Sequence, residues 1–173
     1  DSYEIIIVDD ESINPLKISD NLFSSHFLEK ITIIRQSNKG PGIARNLGVS
    51  AATGKYILFL DDGDCFSVGF LAILSEEIIS KNCPEVVYFD FYYPNINDYL
   101  PRQDYYIFEN LDTLKKATYN LEAYQECWSA AYSREFLLRN NLSFDEGYFE
   151  DILFALKTTS VLTNYSYLPT KLY

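Results

Sequence analysis

Two stretches of the chain run almost wholly apolar and then stop on carboxylates. Residues 3–8, YEIIIV, end at Asp9-Asp10, and residues 56–60, YILFL, end at Asp61-Asp62-Gly63-Asp64. A strand that is apolar on both faces has to be covered on both faces, which is the setting of a mainly parallel sheet flanked by helices. Open sheets of that kind bind ligands beyond the carboxyl ends of their strands. The fold class read from the sequence is therefore α/β, with both acidic clusters expected along one rim.

The remaining periodicities fit that reading. Residues 31–34, ITII, predict a second buried strand, and 85–91, EVVYFDF, a further one. Ile43, Ala44, Leu47 and Ala51 recur at helical spacing, with Pro41 in the first turn, where its missing N–H costs least, and Gly54 beyond the end. Phe70, Leu71, Leu74 and Ile78 share one helical face. Helices are also expected over 19–28, 111–121, 134–139 with Ser133 as cap, and 149–159. The span 92–107, rich in Tyr, Asp, Asn and Pro, predicts an irregular excursion or a hairpin.

Length and charge narrow the function. At 173 residues the chain suits one domain. Its net charge of -11 repels polyanions, which excludes nucleic acid as a partner and means that an anionic ligand would need a local cation. No apolar run approaches the ~18 residues of a membrane span. Cys65, Cys83 and Cys127 are odd in number and lack paired metal-ligand spacing, which predicts reduced thiols in a cytoplasmic protein. With no Met in the sequence, Asp1 is not expected to be where translation starts, and the chain is expected to be part of a longer one.

Three segments carry candidate chemistry. In Asp62-Gly63-Asp64 the glycine lets the backbone turn so that two carboxylates face one point, and hard divalent cations are held by one or two carboxylates together with substrate phosphates. The same residues are also ordinary turn formers. In NKGPGIARNLG, residues 38–48, a Gly-rich turn opens a helix with Lys39 just before it and Arg45 early within it, an arrangement suited to an anion or equally to a plain loop-to-helix turn. In YFEDILFALK, residues 148–157, Glu150 and Asp151 begin a helix, either as complements to its dipole or as carboxylates aimed into a site.

Taken in order, EIIIVDDES, NKGPGIARNLGVSAATGKYILFLDDGD and GYFEDILFALK resemble the family 2 glycosyltransferases of the GT-A fold, over nearly the whole chain. These enzymes move a sugar from a nucleotide donor to an acceptor hydroxyl with inversion. The resemblance implies that Asp9, with Asp10, contacts the nucleotide base, that Lys39 and Arg45 lie on the donor side, and that Asp61 lies near the ribose. It implies that Asp62 and Asp64 hold Mn²⁺ or Mg²⁺ against the donor diphosphate, and that Asp151 is the general base. An Asp-x-Asp-Asp register, common in the family, would put Gly63 on a carboxylate position, so the metal ligands among Asp61, Asp62 and Asp64 stay open.

The resemblance also frames the whole. It makes residues 1–64 a donor part lacking the family's first strand and 65–173 an acceptor part of one GT-A catalytic domain. The implied partners are a nucleotide-sugar donor, with UDP preferred, and a glycan or glycolipid acceptor in bacterial surface polysaccharide synthesis. Peripheral association of the full chain with the inner face of the membrane, and pairing of an exposed strand edge with a second copy, are further expectations. A non-catalytic sugar-nucleotide or interaction module with the same fold is the competing class. A receiver-like phosphoacceptor domain is a weaker match, because no Lys at a later strand end answers its Asp residues. Trp128, His26 and the tyrosines of 92–106 are assigned to packing or surface and not to the site.

Overall fold

The computed structural model describes residues 3–18, 23–92, 108, 110–123 and 126–173. Strand β1 (Ile5–Asp10) is followed by the single-turn helix α1 (Ser25–Leu28), strand β2 (Ile31–Gln36), helix α2 (Pro41–Ala51) and strand β3 (Tyr56–Leu58). Then come helix α3 (Phe70–Ser80), strand β4 (Val86–Asp90), helix α4 (Leu111–Tyr119), strand β5 (Ala130–Ser133), helices α5 (Arg134–Arg139) and α6 (Glu150–Val161), and strand β6 (Tyr165–Lys171). The α/β class holds. The irregular span 92–107 and the first part of the helix expected over 19–28 lie outside the described residues, apart from Tyr92.

Helices α2, α4 and α5 begin where their sequences say they should, whereas the helix expected over 19–28 begins, among the described residues, only at Ser25 behind the capping Ser24. In α2, Pro41 sits at the first helical position behind Gly40, whose φ of 86° is open to glycine without strain. Ser133 caps α5 by accepting the Phe136 N–H, and Asn110 and Thr113 form a reciprocal capping box at α4.

Strand pairing is more mixed than the apolar runs suggested. β1 and β2 pair in parallel as a two-stranded sheet, while β3, β5, β4 and β6 form a second sheet in that order. Within it β5 runs antiparallel to both β3 and β4, and β6 runs parallel to β4. Consequently the two acidic clusters do not share one hydrogen-bonded sheet edge. They are linked instead through the α2 segment, whose entry at Lys39 and Gly40 donates to Asp10 and whose Arg45 reaches Asp61 past the end of β3.

The core sits on the four-stranded sheet. Val86, Val87, Ala130 and Ala131 are fully enclosed, and an aromatic group beneath the site locks three segments together. Phe144 stacks on Phe154 of α6 at 4.0 Å between ring centroids, and Phe59, just past β3, meets Phe144 edge-on at 5.2 Å. Such ring pairs add to the burial of their large apolar area. Together they fix the end of β3 against the start of α6.

Candidate active site

Each acidic cluster has its own fate. Asp9 is buried at the end of β1, where its carboxylate accepts hydrogen bonds from the Ser12 N–H at 2.9 Å and the Leu16 N–H at 3.4 Å and pairs with Arg35. Hydrogen bonds from Ser12, then from Leu16 and Arg35, pull its pKa down to about 2. Asp10 accepts from Gln36 Nε2 at 2.8 Å, the Lys39 N–H at 3.0 Å and the Gly40 N–H at 2.9 Å. Burial pushes the Asp10 carboxyl up, but these donors outweigh it and the pKa is lowered. Both carboxylates are thus engaged in shaping the loops after β1 and before α2. The Lys39 side chain is exposed and forms no ion pair with a described residue.

After β3 the arrangement is different. The Asp64 N–H donates to the Asp61 carbonyl at 3.2 Å, closing a turn in which Gly63 takes φ 90°, a conformation that favours glycine. Asp62 and Asp64 are exposed on this turn. Asp62 has no hydrogen-bond partner among the described residues, and Asp64 accepts one hydrogen bond, at Oδ2, from the Tyr173 hydroxyl at 2.6 Å.

Asp61 turns the other way, toward Arg45. Arg45 Nη2 donates to both Asp61 oxygens at 2.9 and 3.2 Å, while Nη1 donates to Glu150 Oε1 at 3.0 Å and Asp151 Oδ1 at 2.6 Å. One guanidinium on α2 therefore gathers the end of β3 and the start of α6. Its planar fork is suited to this, since a Lys offers no comparable fixed set of donors. Burial alone would depress the Arg45 pKa; the negative partners around it raise it instead, so the side chain stays charged. For Asp151 burial is the larger influence and the pKa is raised, with Arg45 and the Cys127 thiol pulling against it. Cys127 is itself buried, and burial holds its thiol well above the usual range, so it remains a protonated weak donor beside Asp151.

Two residues that sequence reasoning passed over make this approach feasible. A Cβ at Gly42 would lie 2.8 Å from the Asp145 carbonyl and 3.1 Å from Glu150 Cγ, so α2 can come this close to the 144–150 segment only with glycine there. Asn46 seals the contact from both sides: its Nδ2 donates to the Phe144 carbonyl at 2.8 Å and its Oδ1 accepts the Phe144 N–H at 2.9 Å. Gly42, Arg45 and Asn46 are spaced i, i+3, i+4, one face of a helix, and that spacing was the available signal. Trp128 packs against Phe91 and Tyr173, and His26 is surface-exposed, as expected of both.

The residues fit a divalent cation on one condition. Among the described residues no group of three or more His, Cys, Asp or Glu side chains is arranged to hold a metal. Asp62 and Asp64 supply two exposed carboxylates, so donor phosphates would have to complete the shell, which is how Mg²⁺ is commonly bound. A single guanidinium facing three carboxylates also leaves this face with an excess of negative charge, which an incoming diphosphate would meet unless a cation accompanied it.

A profile of glycosyl transferase family 2 matches residues 1–139 of the 173. The chain belongs to that family. Among curated relatives, this family 2 chain is 28% identical over 183 residues to a cholesterol galactosyltransferase of Borreliella burgdorferi, covering 95% of the chain and 51% of the relative. It is 34% identical over 134 residues to the uncharacterized glycosyltransferase EpsJ of Bacillus subtilis, covering 73% and 37%. A shorter match, 38% identical over 71 residues, is to the succinoglycan biosynthesis protein ExoW of Rhizobium meliloti, covering 39% and 22%. The chain thus spans about half or less of the length of these relatives.

Solved structures agree on the fold. The crystal structure of S. aureus TarS 1–349 superposes with a TM-score of 0.76 at 21% identity, over 98% of this chain and 50% of that one. TarS 1–349 in complex with UDP-GlcNAc superposes with a TM-score of 0.73 at 21% identity, over 98% and 48%. The family 2 chain has the GT-A fold.

Proposed function

We propose that the protein is an inverting glycosyltransferase that moves a sugar from a UDP-sugar to a hydroxyl of a glycan or glycolipid acceptor in bacterial surface polysaccharide synthesis. The observation that carries this reading is the Arg45 bridge, which brings Asp151 to the same place as the turn bearing Asp62 and Asp64. Family membership supports the transferase class, and the UDP-GlcNAc complex of TarS supports a uridine nucleotide. The succinoglycan role of ExoW supports the polysaccharide setting.

Asp151 is the general base. It takes the proton of the acceptor hydroxyl as that oxygen bonds to the anomeric carbon, opposite the breaking bond to the departing nucleoside diphosphate. A carboxyl raised by burial is the better base, because its conjugate acid lies closer to the working pH. Arg45 holds Asp151 and Glu150 in register with Asp61, and so fixes the base relative to the donor turn. Asp62 and Asp64 would hold Mn²⁺ or Mg²⁺, whose contribution is to neutralise charge on the leaving diphosphate. On this reading Asp9 and Asp10 serve the nucleotide by holding the loops that frame it.

The test is calorimetric titration of UDP, with and without Mn²⁺, into the full-length protein, its Asp62→Ala/Asp64→Ala double variant and Asp151→Asn, alongside a transfer assay. We expect metal-dependent UDP binding that the double variant loses. Asp151→Asn should keep the binding and lose transfer by about 10²-fold or more. UDP binding indifferent to metal and to the double substitution would sink the donor assignment. Transfer unchanged in Asp151→Asn would sink the general-base assignment, and UDP binding by the parent protein without any transfer would point to a sugar-nucleotide module without this chemistry.

A further inference from the structure

Tyr173 holds both ends of the donor turn. Its hydroxyl donates to Asp64 Oδ2 at 2.6 Å and accepts the Asp61 N–H at 3.2 Å. The ring that carries this hydroxyl is fixed on two sides, stacked on Trp128 at 4.5 Å between centroids with 20° between planes, and set edge-on to Phe66 at 5.5 Å and 84°. Its backbone is fixed as well. The Tyr173 carbonyl accepts the Tyr92 N–H at 2.8 Å, the Leu172 N–H donates to the Asp90 carbonyl at 2.9 Å, and the Leu172 carbonyl accepts the Ser67 N–H at 2.8 Å. The hydroxyl is therefore held by contacts that lie outside the turn it touches, while the turn itself is exposed with Gly63 at its centre.

From this geometry we infer that Tyr173 is a positioning residue for the cation and diphosphate site. By occupying Oδ2 it fixes the rotation of the Asp64 carboxylate, leaves Oδ1 as the oxygen presented outward, and holds the Asp61 end of the same turn at a set distance from it. Asp62, which has no partner among the described residues, is oriented only through this turn. The inference rests on the reading of Asp62 and Asp64 as the donor carboxylates, and it extends that reading to a residue more than a hundred positions later in the sequence. Groups that orient metal-binding carboxylates typically change metal affinity by about 10- to 100-fold when removed.

The decisive variant is Tyr173→Phe, which keeps the ring on Trp128 and Phe66 and removes only the hydroxyl. In the full-length protein, Mn²⁺ affinity in the presence of UDP would be read from the electron paramagnetic resonance signal of free Mn²⁺. UDP affinity at saturating Mn²⁺ and the thermal midpoint would be measured in parallel. We expect Tyr173→Phe to need about tenfold more Mn²⁺ for half-saturation, with UDP affinity at saturating Mn²⁺ and the midpoint close to the parent's. An unchanged Mn²⁺ requirement overturns the inference while leaving the donor site standing. A UDP affinity weakened equally at limiting and saturating Mn²⁺, together with a lowered midpoint, also overturns it and assigns the hydroxyl to structure alone. Metal-independent UDP binding by the parent protein overturns it together with the donor reading beneath it. Trp128→Leu gives a second check: it frees the ring but keeps the hydroxyl, and should raise the Mn²⁺ requirement in the same direction.

Discussion

The Asp pair after β1 and the Asp cluster after β3 look alike in sequence, each a run of carboxylates closing an apolar strand, yet the protein surrounds them in opposite ways. Asp9 and Asp10 have their oxygens filled by the protein itself, from Ser12, Leu16, Arg35, Gln36, Lys39 and Gly40. Asp62 and Asp64 face water with one hydrogen bond between them among the described residues. A carboxylate saturated by neighbouring N–H groups builds a loop, whereas one left open is available to a ligand. Asp61 stands between the two cases, since its partner Arg45 is shared with Glu150 and Asp151.

That contrast can be broken most sharply at Arg45. Arg45→Ala would leave Asp61, Glu150 and Asp151 crowded together without their cation, and breaking a largely buried ion cluster from one side costs about 3–5 kcal/mol. Urea unfolding should register that loss, and transfer should fall with it. Gly42→Ala tests the close approach beneath the same cluster: driving a methyl group to within contact of the Asp145 carbonyl should cost about 1–3 kcal/mol in the same experiment.

The smaller effects separate the two acidic clusters from each other. Because the folded pKa of Asp9 is lowered, its stabilising contribution is complete above the unfolded value of about 3.9 and is lost as pH falls toward 2. Acid unfolding of Asp9→Asn should therefore be less steep across that window than that of the parent. Asp62→Ala should shift stability by less than about 0.5 kcal/mol at any pH while removing metal-dependent UDP binding. If Asp62→Ala instead destabilised the fold as much as Asp9→Asn, the division between building and binding carboxylates would be wrong.

Legibility in the sequence followed the same division between local and long-range causes. β1, β2, α2, α3 and α6 were readable because a period of apolar residues and a turn or cap at each end are local signals. β5 was missed because AAYS is only four residues long and is buried for reasons that lie in its neighbours β3 and β4. β6 was missed because Pro169 argues against a strand; the ladder accommodates it by slipping register, from Phe89 opposite Leu168 to Asp90 opposite Lys171. At the site, the Asp and Glu residues stood out by type. What Arg45 joins, what Gly42 and Asn46 permit and what Tyr173 holds depend on contacts between segments as much as 112 residues apart, which no local pattern encodes.

The division into two sheets also has a kinetic consequence. β1 and β2 form a ladder with no third strand among the described residues, and a two-stranded ladder in water is marginal unless something packs on it. Here α2 packs on it, and α2 is in turn secured to the β3 and α6 side by Arg45 and Asn46. Amide hydrogens of Val87 and Ala131, inside the four-stranded sheet, should therefore exchange with solvent deuterons only in global unfolding, and those of β1 and β2 in smaller, more frequent openings. The protection of residues 5–10 would then report on whether Arg45 is holding, and β1 would serve as a clock for contacts made on the far side of α2.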